Sequence, residues 1–104
     1  MNSINEGNDD SEEEPTMIHV EENRVYFHAD VSRENCFQLI ESLRKAQEYV
    51  AVQYIKNEFE EMGKIFLYLF SDGGELYAGL NVADFIQKSK VDIITINEGC
   101  VSSA

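Results

Sequence analysis

Two glycine-bearing segments hold the residues of this chain that could do chemistry. Ser71-Asp72-Gly73-Gly74 follows the apolar run Ile65 to Phe70, and Gly99-Cys100-Val101-Ser102-Ser103 follows the apolar run Val91 to Ile96. Glycine admits backbone conformations closed to other residues, so such turns can aim main-chain N–H groups into a crevice. Two of them at the ends of successive buried strands could direct N–H donors and a serine hydroxyl at one point, which is the geometry acyl transfer needs. Each segment alone also has a plainer use. Gly73-Gly74 suits a tight strand-to-helix turn, and Ser103 suits a small residue where a helix begins under a strand. There is no Gly-Lys-Ser/Thr run, so this is not a P-loop phosphate cradle. The serine is not in a Gly-x-Ser-x-Gly elbow either. The pairing of the two segments is what points to an oxyanion-type site.

The elements that must position these segments are legible from periodicity. Thr16 to Val20 and Arg24 to His28 are rich in β-branched and aromatic residues and read as two strands, as in a hairpin. Ser32 can cap a helix whose apolar positions Cys36, Leu39, Ile40, Leu43, Ala46, Val50, Tyr54 and Phe59 recur at three- and four-residue steps. That helix, or pair of helices, is expected to end near Gly63. Ile65 to Phe70 lacks polar alternation, which predicts a strand covered on both faces. Gly79 precedes a second helical stripe, Val82, Phe85 and Ile86, and Val91 to Ile96 is a further strand. The order strand, helix, strand, helix, strand predicts two right-handed crossovers in an α/β layered fold. In such sheets the functional crevice lies beyond the carboxyl ends of the strands, where both glycine segments fall.

Composition narrows the partners. The 104 residues suffice for one domain and carry a net charge of −12. Eight acids, Glu6, Asp9, Asp10, Glu12, Glu13, Glu14, Glu21 and Glu22, stand within the first 22 residues without one Lys or Arg. Residues 1–15 are therefore expected to be a disordered acidic tail, and residues 16–104 the α/β domain. The charge argues against a nucleic-acid binder, which needs clustered Lys and Arg. Cys36 and Cys100 have no metal-ligand spacing, and no metal or cofactor site is expected. The chain opens without a signal-peptide pattern and has no apolar run near the ~20 residues of a membrane helix, so a soluble, cytoplasmic protein is expected.

Ile65 to Ala104 resembles the core of the Clp protease proteolytic subunit (ClpP) family without a gap. The family has an apolar strand running into Ser-Pro-Gly-Gly, a Thr-Ala-Gly-like helix start, an Asp-containing helix, a Lys-Pro-Asp-Val-like strand entry and Gly-x-Ala-Ala-Ser-Met. Here stand Ser71-Asp72-Gly73-Gly74, Tyr77-Ala78-Gly79, Asp84, Lys90-Val91-Asp92-Ile93 and Gly99-Cys100-Val101-Ser102-Ser103-Ala104. Arg24 to Phe27 resembles the family's first core strand and the Ser32 helix its first helix, while about Glu48 to Met62 looks like an insertion.

The resemblance implies an incomplete ClpP/crotonase-like fold with parallel strands and crossover helices. It places Ser103 on the nucleophile, and Gly74 and Ala104 on the two oxyanion-hole N–H donors. Asp72 replaces a proline, Ser102 an alanine, and Ala104 a methionine. The family's catalytic histidine and aspartate lie downstream of its serine, so the chain is expected to be the amino-terminal part of a serine endopeptidase, truncated after the nucleophile and inactive alone. His19 and His28 precede the sheet core, and nothing in the sequence brings either to the carboxyl end of the last strand. Family membership would further imply polypeptide substrates, a homo-oligomeric ring chamber fed by an AAA+ unfoldase ATPase, and chemistry without cofactor or metal. Two other readings are a non-catalytic ClpP-like subunit that modulates ring assembly, and a fragment of another branch of the superfamily, such as a crotonase-like acyl-CoA enzyme. Ser103 speaks against the acyl-CoA branch, which needs only the paired donors.

Overall fold

The computed structural model describes residues 16–71, 73–74 and 76–101. The expected acidic tail lies outside them. A four-stranded sheet has the order β1-β2-β3-β4, with β1 (Met17–Glu21) antiparallel to β2 (Arg24–His28), and β3 (Ile65–Ser71) and β4 (Ile93–Val101) parallel to β2. The first two strands form the expected hairpin, closed by Glu22 and Asn23 after the pair Glu21↔Arg24. Glu22 takes a left-handed φ of 58°. Asn23 ties the turn to the neighbouring strand, its Nδ2 donating to the Lys64 carbonyl at 2.8 Å.

Helix α1 (Arg33–Lys56) connects β2 to β3, and α2 (Leu76–Lys88) connects β3 to β4. Ser32 is the cap that its type suggests: its backbone is extended and its Oγ accepts the Asn35 N–H at 3.1 Å. From Cys36 to Val50 the apolar stripe of α1 is buried, apart from the half-buried Ile40. It packs with Ala78 and Val82 of α2 against Val25, Phe27, Ile65 and Leu67 in one core. Both helices therefore cover the same face of the sheet.

Three expectations need correction. First, α1 stops at Lys56 rather than near Gly63. Glu58 and Phe59 both adopt left-handed φ, 58° and 61°, which a right-handed helix cannot accommodate. The Phe59 N–H turns back to the Tyr54 carbonyl at 2.9 Å, leaving Phe59 outside the stripe and 63% exposed. Second, Gly79 lies inside α2 instead of before it. An interior glycine costs a helix only about 1 kcal/mol, and the stripe that includes buried Ala78 and Val82 holds the turn around it. Third, β3 is covered on one face among the described residues. Ile65 and Leu67 are buried beneath the helices, while Phe66, Tyr68 and Phe70 on the other face are half-buried. Tyr68 there stacks on Tyr26 with centroids 4.9 Å apart. An apolar strand is thus not by itself evidence of two covering layers.

Candidate functional site

The glycine segment after β3 is fixed by two hydrogen bonds, both made by Gly73. Ser71 is buried, and its Oγ accepts the Gly73 N–H at 3.1 Å. The Gly73 carbonyl in turn accepts the Val31 N–H at 2.8 Å, and Val31 pairs with Gly74 in an isolated parallel bridge. The loop between β2 and α1 thereby anchors the turn.

Both glycines are obligatory in conformation, with φ of 106° at Gly73 and 146° at Gly74. Gly74 is also obligatory in space. A Cβ there would collide with the Val31 carbonyl oxygen and lie 2.8 Å from its carbon and 2.9 Å from the Val31 nitrogen. Gly74 is exposed, and no described residue accepts its N–H. Among the described residues the Gly74 N–H is thus a main-chain donor without an acceptor, at the carboxyl end of a parallel strand.

The described part of the second segment, Gly99 to Val101, belongs to β4 and reaches the level of Ser71 on the neighbouring strand. β3 and β4 pair from Ile65↔Ile93 to Leu69↔Asn97, then slip, so that Ser71 meets Val101. Two steps along β3 thus match four along β4, a bulge that carries the strand through Gly99 rather than ending it at Ile96. Gly99 is needed at this bulge because a Cβ there would strike the ring of Phe70. Ser102, the expected nucleophile Ser103, the expected second donor Ala104 and the substituted Asp72 lie outside the described residues.

The structure brings His28 to the carboxyl half of the last strand, a place that no sequence feature marks for it. Its Nε2 lies 2.9 Å from Oε1 of Glu98, in the carboxyl half of β4, and its ring meets Phe70 edge-on with centroids 5.6 Å apart. The register explains this: His28 pairs with Phe70, and β4 lies on the far side of Phe70. Sequence reading missed the pair because only a sheet order can bring residues 28 and 98 together. His19 stays at the other edge, stacked on Tyr26. Among the described residues no group of three His, Cys, Asp or Glu could hold a metal, and no helix is long and apolar enough to cross a membrane.

Comparison with known proteins gives the same picture at three levels. The family model for Clp protease matches residues 21–104. The ATP-dependent Clp protease proteolytic subunit of Mesostigma viride is 38% identical over 58 residues, which are 56% of this chain and 25% of that protein. The crystal structure of the ClpP protease catalytic domain from Plasmodium falciparum matches with a TM-score of 0.53 at 25% identity, covering 74% of this chain and 38% of that one. The chain thus spans about a quarter of the length of the curated relative it matches.

Proposed function

The chain belongs to the Clp protease family, and from that membership we propose that it carries the amino-terminal part of a serine endopeptidase site with Ser103 as nucleophile. In this reading the Ser103 Oγ attacks a peptide carbonyl carbon, and the carbonyl oxygen becomes an oxyanion held by the N–H groups of Gly74 and Ala104. A general base takes the hydroxyl proton and passes it to the departing amine, leaving an acyl-enzyme that water then hydrolyses. The observation that carries the reading is Gly74: forced into a positive φ, without room for a side chain, and with its N–H unclaimed by any described acceptor. The register Ser71↔Val101 supports it, since Val101 stands two positions before Ser103 in the sequence and pairs with the strand that leads into Gly74.

Neither histidine of the sequence is the base in this reading. His19 is stacked at the opposite edge of the sheet, and the Nε2 of His28 is engaged by Glu98. The base and the carboxylate that orients it come from outside these 104 residues, so the chain alone hydrolyses no peptide bond. By family, the substrates are unfolded polypeptides cleaved in a cytoplasmic ring chamber of like subunits that an AAA+ ATPase feeds. No cofactor or metal takes part in the chemistry.

The test is labelling of the full-length gene product by a fluorophosphonate, with the adduct mapped by mass spectrometry. The expected adduct is on Ser103 and disappears in Ser103→Ala. Equal labelling of Ser103→Ala overturns the nucleophile assignment.

A further inference from the structure

His28, Phe70, Glu98 and Gly99 form a cluster that the proposed chemistry does not use. It spans the three parallel strands at the root of both glycine segments. Phe70 immediately precedes Ser71, and its ring lies where a Cβ of Gly99 would be. His28 closes on that ring from β2, while Glu98 reaches back from β4 to the His28 Nε2 at 2.9 Å. The cluster sits where the pairing of β3 and β4 slips between Leu69 and Ser71. β4 is the edge of the sheet, so among the described residues its carboxyl half is held from one side only.

We propose that the seating of Phe70 on Gly99, closed by the His28–Glu98 hydrogen bond, is a clasp that sets the spacing between the Gly74 donor and the segment that carries Ser103. His28 and Glu98 are positioning residues in this account, which rests on the function proposed above. The His28 and Glu98 side chains are 32% and 38% exposed, and partly solvated pairs contribute little to global stability. Their effect is therefore local. They choose one register for an edge strand that could otherwise take the two extra residues of its bulge elsewhere. The requirement for geometry is strict, because a displacement of an ångström between nucleophile and donors slows acyl transfer severely.

The experiment compares wild type, His28→Ala, Glu98→Ala, the double variant and His28→Gln, whose carboxamide N–H can replace the imidazole donor. In NMR spectra of the chain, the nuclear Overhauser effect between the Phe70 ring and the Gly99 α-protons is expected to be lost in both alanine variants and restored in His28→Gln. In the full-length product, the fluorophosphonate labelling rate is expected to fall about tenfold in each alanine variant, with no further fall in the double variant and an unchanged melting temperature. A retained Phe70–Gly99 effect in both alanine variants overturns the clasp. So does a labelling loss that follows the melting temperature and is not rescued by glutamine, because that is general destabilisation. Labelling that persists in Ser103→Ala would remove the peptidase reading while leaving the spectroscopic result to decide the clasp.

Discussion

Gly74 is the residue on which the structure and the proposed chemistry meet. Its φ of 146° is closed to residues with a side chain, and the Val31 backbone fills the space that a side chain would need. Gly74→Ala is therefore expected to destabilise the chain by about 1–3 kcal/mol for the backbone conformation alone, read from urea denaturation. It should also abolish fluorophosphonate labelling of the full-length product, because relieving the collision moves the donor. Glu22 shows the opposite case. It holds a left-handed φ of 58° in a hairpin turn with no evident steric need for its side chain. Glu22→Gly should stabilise the chain by roughly 0.5–1 kcal/mol, checked by the same denaturation midpoint. His28 marks what residue types do not tell. Its partner Glu98 is 70 positions away, and the contact follows only once β2, β3 and β4 are known to lie side by side.

At the scale of elements, periodicity carries far but boundaries do not. The stripe from Cys36 to Val50 is legible because each buried side chain returns every three or four residues to the face that meets the sheet. Its centre is the fully buried Leu43, and Leu43→Ala should cost about 2–5 kcal/mol in thermal or denaturant unfolding. The cap is legible too, since serine at position 32 can satisfy the orphan N–H of Asn35; Ser32→Ala should cost about 1 kcal/mol. The end of α1 was not legible. Glu58 and Phe59 are ordinary helix residues by type, yet they carry the left-handed turn that stops the helix. Likewise Gly99 reads as a strand terminator, but in the fold it keeps β4 going by leaving room for Phe70. That the two strands leading into the glycine segments lie side by side was readable, because each is an apolar run followed by glycine and a single helix joins them. The slip that aligns Ser71 with Val101 depends on side-chain packing between strands and has no sequence signature.

For the whole molecule, the consequence of two helices on one face is a sheet whose other face is aromatic and partly open among the described residues. Tyr26, Tyr68 and Phe70 line it, and Ile94 of the edge strand is 39% exposed. An apolar face that ends in an edge strand favours association, whereas a net charge of −12 opposes it. Self-association of the chain should accordingly grow with salt as the charge is screened. Ile94→Lys should reduce it, as measured by sedimentation velocity; association that is independent of salt and of Ile94→Lys would place the contact elsewhere. The mixed sheet with its crossover helices agrees with membership of the Clp protease family.

The central claim is tested most directly by a crystal structure of the full-length product after reaction with a fluorophosphonate. The account predicts phosphorus bonded to the Oγ of Ser103, with one phosphonyl oxygen about 3 Å from the Gly74 nitrogen and accepting its N–H. An adduct on another residue, or a phosphonyl oxygen turned away from Gly74, would contradict it.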